Sequence, residues 1–416
     1  MLGLQPLTIP RQMARLASLE VHELRLIWGR LTMPKTMTSR DRVLTALHHQ
    51  EPDRVPTALW GSYYTLHDET YFRLLDYLDL GEPVSPFRRY KPRNANYLDD
   101  RILDRLDTDI RYVWLGFDDL GGAHPDTMRD AWGVQWQRMG PHITAVTHPL
   151  AEATIEEVEA FLWPDPEKYL RRDELRDRLR ALARSGTHAI TARAVNSYGP
   201  FEQASALRGR EQFLMDIVLD PELAKLIVDK VTAVLVRLTE IYLDTAGRDI
   251  DIIEIPGDDY GGTANLLISP KVFDTLLAPA LGRIIRPIKE YRQDLFVAFH
   301  SDGAVGKLLG RFADLGIDLC HPLEPLPAND MGAIKAEFGD RLSFMGAIDI
   351  KQALPGSLTA LEAEVKQRIS LLAGNGGYIL APANHVQTDV PPQNVLALYE
   401  FARRYGEYPL NSSIEP

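Results

Sequence analysis

Short apolar runs alternate with longer amphipathic stretches along most of the chain. Eight runs are β-rich and six to eight residues long, and stretches such as VFDTLLAPALGRIIRPIKEY between them repeat apolar residues at helical spacing. Strands that alternate with helices predict βαβ units and a parallel sheet. The predicted strands are 54–60, 109–115, 188–195, 250–256, 295–300, 317–323, 342–348 and 378–383.

Eight strand–helix units are the number that closes a (β/α)8 barrel, whose active site lies at the carboxyl ends of the strands. A doubly wound sheet usually has a Gly-rich turn after its first strand, but this chain has WGSYYTLHD there. The segment 116–187 is longer than one crossover needs, and two stretches in it alternate like a small antiparallel hairpin. We therefore predict an α/β fold, a (β/α)8 TIM barrel with an insertion after strand two that covers part of its mouth.

The first 37 residues differ from the rest of the chain. They are Arg-rich and partly amphipathic but lack the apolar region and cleavage site of a signal peptide. A transit peptide is the alternative, and the acidic residues of LEVHEL argue against it. We expect residues 1–37 to be a flexible, poorly ordered N-terminal extension and residues 38–416 to form the barrel.

Composition narrows the class of protein. The 416 residues carry a net charge of −12, which argues against binding to nucleic acid or anionic membranes. No run approaches 18 apolar residues, so we expect no membrane span. Cys320 is the sole cysteine, which excludes an internal disulfide and zinc sites built from several cysteines of one chain. We expect a cytoplasmic protein with a small-molecule substrate.

Polar side chains gather directly after the predicted strands. Any one of them fits a helix cap or solvated turn, but together they indicate a site at the carboxyl ends of the strands. They are Asp118, Asp119, Asn196, Tyr198, Glu202, Asp258, Asp259, Tyr260, His300, Asp302, His321, Glu324, Asp349, Asn384, His385, Gln387 and Asp389.

The stretch FHSDGAV places His300 and Asp302 two residues apart at the end of a strand. Residues at this spacing project to the same side, which suits two ligands of one metal ion or a carboxylate that fixes a histidine tautomer. His385 after strand eight is the candidate third ligand. The alternative is that Asp302 caps the next helix and His300 is only a hydrogen-bonded strand end.

The pair Asp258 and Asp259 also leaves two interpretations open. Adjacent aspartates before Gly-Gly can cap a tight turn, or they can bind a cation or orient a basic group of a substrate.

Several blocks of the sequence resemble the uroporphyrinogen decarboxylase superfamily. They include TSRDRVLTALHHQEPDRVP, GDDYGGTANLLISPKVFDTLLAPALGRII, FGDRLSFMGAID and GGYILAPANHVQTDVPPQNVLALYEFA, and the resemblance runs from about residue 38 to the C-terminus. The resemblance implies a (β/α)8 barrel and a homodimer. The superfamily contains porphyrin decarboxylases and zinc-dependent methyltransferases that exchange methyl groups with corrinoid proteins.

The chain departs from the decarboxylase branch. That branch carries arginines after strand one that grip the porphyrin carboxylates, where this chain has WGSYYTLHDET. Its catalytic tyrosine falls near Ala206, whereas its aspartate and histidine are matched by Asp118 and His385. Without the arginines the carboxylates of an octa-acid lack charge partners, so we do not expect uroporphyrinogen as the substrate.

The methyltransferase branch implies zinc held by a His-x-Cys pair after strand five and a cysteine after strand eight. This chain has His300 and Asp302 at the pair and Asn384–His385 near the second cysteine. A ligand set of nitrogen and oxygen leaves a harder metal, Zn²⁺ or another divalent ion, suited to oxygen or amine substrates.

We therefore predict a methyltransferase-like barrel enzyme that moves a methyl group from a small O- or N-methylated substrate to a corrinoid carried by a partner protein. His300, Asp302 and His385 would polarise the substrate as metal ligands or proton donors, and Glu324 or Asp349 would serve as general acid. Substrate contacts are expected from Asn196, Tyr198, Asp258, Asp259, Tyr260, Asp349 and Asn384.

Two alternatives stay open. One is a decarboxylase or other lyase acting on a different acid, with Asp118 stabilising a developing cation and His385 donating the proton. The other is a barrel without catalysis that binds a corrinoid or tetrapyrrole.

Overall fold

The computed structural model describes residues 37–59, 66–84, 99–116, 126–140, 142–168 and 170–410. Asp118, Asp119 and nearly all of the predicted N-terminal extension lie outside the described residues. The strands are β1 Ile110–Trp114, β2 Thr127–Arg129, β3 Gln135–Met139, β4 His142–Thr147, β5 Ala189–Arg193, β6 Ile252–Glu254, β7 Phe296–His300, β8 Leu319–His321, β9 Ser343–Ile348 and β10 Tyr378–Pro382.

Helices follow the strands of the parallel sheet, as the sequence pattern predicts. They are α1 Ser39–Leu47, α2 Asp68–Tyr77, α3 Asp100–Leu106, α4 Ile155–Ala160, α5 Arg172–Ala183, α6 Pro200–Arg208, α7 Arg210–Leu219, α8 Pro221–Ala246, α9 Pro270–Val272, α10 Ala278–Tyr291, α11 Leu309–Asp314, α12 Met331–Phe338, α13 Leu358–Leu372 and α14 Pro392–Tyr405. A π-helical turn, Phe273–Leu277, joins α9 to α10, and a 3-10 turn, Gly306–Leu308, precedes α11. None of these described helices has the length and apolar character that crossing a lipid bilayer would require.

Seven strands form one curled parallel sheet in the order β1-β5-β6-β7-β8-β9-β10. They correspond to the second to eighth predicted strands, so the α/β class and the parallel sheet are confirmed. β9 is buried along its whole length, and so is β10. Such strands have no solvent face and therefore read as continuous apolar runs.

Residues 54–59, the described part of the first predicted strand 54–60, form isolated bridges instead of a regular strand. Thr57 makes a parallel bridge to Leu380 in β10, and the amide of Ala58 donates to the carbonyl of Leu380 at 3.0 Å. On the other side, the amide of Asp109 donates to the carbonyl of Thr57 at 2.9 Å. This segment therefore hydrogen-bonds to both edges of the parallel sheet.

A second sheet lies in the chain between β1 and β5. It is antiparallel with the order β2-β3-β4, one strand more than the predicted hairpin. The indole N–H of Trp132 donates to Oδ1 of Asn196 at 3.1 Å, and the ring of Trp136 stacks on Tyr198 at 5.6 Å. This small sheet is thus attached to the loop after β5, at the carboxyl ends of the parallel strands.

Aromatic side chains fill the space between the parallel sheet and its helices near these strand ends. The ring of Tyr260 is surrounded by Phe201, Phe273, Phe299 and Phe312, with ring centroids 5.3–6.2 Å away. Because successive strand residues face opposite sides, Phe299 points to the helices and His300 points inward. The packing of Phe299 therefore fixes the direction of the neighbouring histidine.

Candidate metal centre at the carboxyl ends of the strands

Three polar side chains converge after β6 and β7. Asp259, His300 and Asp302 each offer an atom within 4.8 Å of the other two. Nε2 of His300 lies 3.7 Å from Oδ1 of Asp302 and 3.8 Å from Oδ1 of Asp259. The imidazole is buried, whereas the two carboxylates keep 40 % and 29 % of their side-chain surface exposed. We call these three residues the triad; its acidic side opens toward solvent.

His385 does not join this cluster, in contrast to the prediction that it supplies the third ligand. Among the residues described, Asp259 takes that place. The ring of His385 instead stacks on His67, with centroids 5.9 Å apart. The end of β10 still reaches the triad through Asn384, whose Nδ2 donates to Oδ2 of Asp302 at 2.7 Å.

Hydrogen bonds and a close backbone contact hold together the two loops that carry the aspartates. The amide of Asp302 donates to Oδ1 of Asp259 at 2.9 Å, and the amide of Ala304 donates to the carbonyl of Gly262 at 2.8 Å. Gly303 has φ of 90°, and a Cβ there would lie 2.3 Å from the carbonyl oxygen of Gly261. Only glycine fits this approach, so Gly303, next to Asp302, and Gly261, two residues after Asp259, bring the two loops close together.

Asp302 is not a helix cap, which was the alternative interpretation. The 3-10 turn that follows has Val305 at its N-cap, without a side-chain hydrogen bond. The carboxylate of Asp302 instead accepts from Asn384 and faces His300.

The charge of His300 depends on the aspartates. Burial by itself lowers the pKa of this imidazole. Asp302 raises the pKa through its charge and its hydrogen bond, and the charges of Asp259 and Glu254 add smaller effects, so that the pKa is raised to about 9. Burial and the charge of Asp302 in turn raise the pKa of Asp259, against the opposing effect of His300. The triad therefore favours a cation at its centre, either a proton on His300 or a metal ion in its place.

Asp258 and Tyr260 lie in the core, in contrast to the predicted substrate contacts. Both residues have no exposed surface. Asp258 accepts hydrogen bonds from the amides of Phe201 and Glu202 at 3.1 and 2.8 Å and from the hydroxyl of Tyr260 at 2.8 Å. Burial raises the pKa of Asp258 well above its ordinary value. The structure thus gives Asp258 a capping role at the start of α6.

Glu324 and Asp349, the predicted general acids, hold neighbouring loops in place. Oε2 of Glu324 accepts from the amide of Gly303 at 3.0 Å, and its Oε1 lies 3.1 Å from Nζ of Lys351. Oδ1 of Asp349 accepts from the amides of Lys351 and Gln352. Glu324 therefore supports the loop of Asp302, and Asp349 caps a turn.

The predicted substrate residue Asn196 is likewise engaged with its own loop. Its Nδ2 donates to the carbonyl of Tyr198 at 2.6 Å and to Oε1 of Gln203 at 3.0 Å. Tyr198 stacks on Trp136, so both predicted residues anchor the small sheet.

Glu202 stands beside the triad without having been assigned a role from the sequence. Burial, together with the charges of Asp259 and Asp302, raises the pKa of its carboxyl to about 7 against the opposing effect of Arg210, its ion-pair partner. A third carboxyl group thus adjoins the two aspartates.

Next to the triad, strand residues form a second polar group, and two of its members, Arg193 and Glu254, were not predicted from the sequence. Nδ1 of His300 lies 2.9 Å from Nδ1 of His321, and Nε of Arg193 lies 3.5 Å from Oε2 of Glu254. Arg193 is the single charged residue of the run HAITARAV, and Glu254 lies in the run IDIIEIP, whose other charged residue is Asp251 near its start. A charge within a buried strand is the signal that could have found them.

The family model of uroporphyrinogen decarboxylase (URO-D) matches residues 130–405, more than half of the chain. The chain belongs to the URO-D family. This confirms the resemblance drawn from the sequence blocks.

Curated relatives of this URO-D family member share low identity with it. The uroporphyrinogen decarboxylase of Synechocystis sp. (strain ATCC 27184 / PCC 6803 / Kazusa) is 22% identical over 191 residues, 45% of this chain and 50% of the relative. That of Crocosphaera subtropica (strain ATCC 51142 / BH68) is 24% identical over 190 residues, 45% of this chain and 49% of the relative. The chain thus matches about half the length of these relatives.

A solved structure similar to this URO-D family member is a methyltransferase from Methanosarcina mazei. The two chains superpose with a TM-score of 0.62 at 18% identity, covering 89% of this chain and 99% of the other. At this identity the similarity shows a shared fold.

The donor atoms of the triad are one imidazole nitrogen and carboxylate oxygens, without sulfur. Cys320 is buried in β8, and burial raises the pKa of its thiol. A site that needs thiolate ligands does not fit these residues, whereas a divalent ion that accepts nitrogen and oxygen does.

Proposed function

We propose that this chain is a metal-dependent methyltransferase that moves a methyl group from an oxygen or nitrogen of a small substrate to a corrinoid carried by a partner protein. The observation that carries the proposal is the triad Asp259, His300 and Asp302. The likeness of its fold to a methyltransferase supports it. In this proposal residues 54–60 complete a closed (β/α)8 barrel, and the small sheet is an insertion over its mouth.

The spacing of the triad fits one ion. The nitrogen–oxygen distances of 3.7 and 3.8 Å are near the edge length of about 3.4 Å that tetrahedral bonds of about 2.1 Å produce. Nitrogen and oxygen ligands suit Zn²⁺ or another first-row divalent ion. When bound, such an ion would supply Lewis acidity toward the oxygen or nitrogen that carries the methyl group.

The chain's own residues have distinct tasks in this reaction. The bond from the methyl carbon to oxygen or nitrogen breaks, its electron pair stays on the heteroatom, and that atom takes up a proton. The reduced corrinoid would contribute the electron pair for the new bond to the methyl group. We assign the proton transfer to Glu202 in place of Glu324 and Asp349, because hydrogen bonds occupy both oxygens of Glu324 and Asp349 caps a turn.

The metal content of the purified protein tests the triad. We expect about one divalent ion per chain in the wild type and loss of the ion in His300→Ala and Asp302→Asn. Asp389→Asn, at an exposed position of the loop after β10, and His48→Ala, at an exposed position after α1, are the matched controls and should keep the ion. A wild-type protein that neither binds a divalent ion nor is activated by one would contradict the proposal.

Activity is tested with free reduced cobalamin as the methyl acceptor. Methyl transfer from O- or N-methylated compounds would change the cobalamin absorption spectrum, and Asp302→Asn should abolish this change. If titration shows that the protein binds cobalamin or a porphyrin but transfers no methyl group, this would instead support a binding protein.

A decarboxylase is the second candidate, and the family match and the curated relatives favour it. In this case carbon dioxide would be released from a carboxylated substrate. The rate of release would not depend on added metal ion, either in the wild type or in His300→Ala. We expect no release from uroporphyrinogen, because WGSYYTLHDET has no arginine to pair with its carboxylates.

A further inference from the structure

Two buried histidines meet across neighbouring strands behind the triad. His300 of β7 and His321 of β8 are register partners, and the amide of Ser301 donates to the carbonyl of His321 at 2.9 Å. The rings lie 5.1 Å apart with an interplanar angle of 34°, and their Nδ1 atoms are separated by 2.9 Å. Because the sheet fixes both backbones, this contact is part of the fold and not of a mobile loop.

One proton must lie between the two Nδ1 atoms, since a hydrogen bond needs one donor and one acceptor. A metal ion held by His300 together with the two aspartates would use the Nε2 lone pair, which leaves the proton of His300 on Nδ1. Nδ1 of His321 is then the acceptor.

The position of His321 agrees with this assignment. Its imidazole is buried, and β8 holds it beside β7 so that Nδ1 faces His300. With Nδ1 as the acceptor, the proton of the His321 ring is on Nε2.

We propose that His321 is the positioning residue of the metal site: it accepts the Nδ1–H of His300, fixes the orientation of that ring, and directs Nε2 between Asp259 and Asp302. This inference rests on the proposed function, and it assigns a role to a residue that lies outside the triad. It also explains a histidine in β8, a strand whose other residues, Leu319 and Cys320, are apolar and buried.

Two variants of nearly equal shape separate hydrogen bonding from packing. His321→Asn keeps an acceptor oxygen near the position of Nδ1, whereas His321→Leu removes it. We expect His321→Asn to bind Zn²⁺ within about threefold of the wild type and His321→Leu to bind it about 10- to 100-fold more weakly, measured by competition with a chromophoric chelator. Equal affinities of the two variants, weakened or not, would overturn the proposal.

Nuclear magnetic resonance of the wild type provides a test that needs no metal and uses a variant only to assign the signals. In the metal-free protein labelled with ¹⁵N-histidine, His321 should show a protonated Nε2 and an unprotonated Nδ1, with its signals assigned by their loss in His321→Asn. A proton on Nδ1 of His321 would overturn the inference. Failure of the wild type to bind Zn²⁺ would instead contradict the proposed function, and these spectra would still decide how the two histidines are paired.

Discussion

Asp258 and Asp259 are neighbours in the chain, but their carboxylates lie in different environments. The first has no exposed surface and accepts three hydrogen bonds from the start of α6 and from Tyr260. The second keeps 40 % of its side-chain surface exposed and faces His300. Because adjacent residues in an extended segment point to opposite sides, one aspartate serves the core and the other the site.

Replacing each aspartate by alanine should therefore have opposite consequences. Asp258→Ala leaves two amides and a hydroxyl without their acceptor, and we expect it to lower the free energy of unfolding by about 2–4 kcal/mol. Asp259→Ala should have a much smaller effect on stability but weaken Zn²⁺ binding at least as much as His321→Leu. Urea unfolding and chelator competition measure the two effects. Equal losses of stability would contradict the division of roles.

The ligands of the triad show how far a sequence can predict this site. The spacing of His300 and Asp302 placed both on one side of a strand end, and the structure brings them together. The choice of Asp259 over His385 depends on how the loops after β6 and β10 turn, and the Gly261–Gly303 contact fixes the loop after β6 against the loop after β7. Periodicity carries no information about such a contact between loops distant in sequence.

At the scale of elements, the small sheet β2–β4 depends on one half-buried carboxyl group. Asp130 lies in the turn before β3 and accepts from the amides of Trp132 and Val134 and from the indole of Trp136, each within 2.7–2.9 Å. Burial raises its pKa from 3.8 to about 6, against the effect of these N–H groups and of the Gly133 amide.

This shift predicts a pH dependence of stability. Between about pH 4 and pH 6 the folded chain keeps a proton that the unfolded chain has released, so the free energy of unfolding falls as pH rises through this window. Asp130→Asn cannot lose a proton. The free energy of unfolding of the variant minus that of the wild type should therefore increase by about 2 kcal/mol as the pH is raised from about 4 to about 7, measured by urea unfolding. A difference between variant and wild type that stays constant with pH would contradict this expectation.

Elements inside the parallel sheet were easier to predict than those at its margins. β9 and β10 are buried throughout, so their apolar runs stand out in the sequence. The first predicted strand was also drawn from a partly apolar run, but its described residues, 54–59, form isolated bridges. In the small sheet, β2 is three residues long, too short for alternation to reveal it.

Across the whole molecule, the two ends of the parallel strands carry different kinds of charged group. The triad lies at the carboxyl ends, whereas Asp109 precedes β1 at the opposite end. Asp109 is fully buried and lies 2.5 Å from Nη1 of Arg42 and 2.9 Å from Nη1 of Arg54, and it also accepts from the amide of Thr57 at 2.8 Å. It therefore binds α1, residues 54–57 and β1 to one another. In barrels of this class, the end opposite the active site contributes to stability.

Asp109→Ala tests this division of the molecule. Removing the carboxylate leaves Arg42, which is almost fully buried, without one of its charge partners, and the loss of a buried partner costs about 3–5 kcal/mol of unfolding free energy. Asp274→Ala, which breaks an exposed ion pair with Arg311, is the matched control and should leave stability almost unchanged. Below its lowered melting temperature, Asp109→Ala should bind Zn²⁺ like the wild type, because the triad lies at the other end of the strands. Thermal unfolding and chelator competition on the same preparations measure both quantities, and weaker Zn²⁺ binding by folded Asp109→Ala would show that the two ends are not independent.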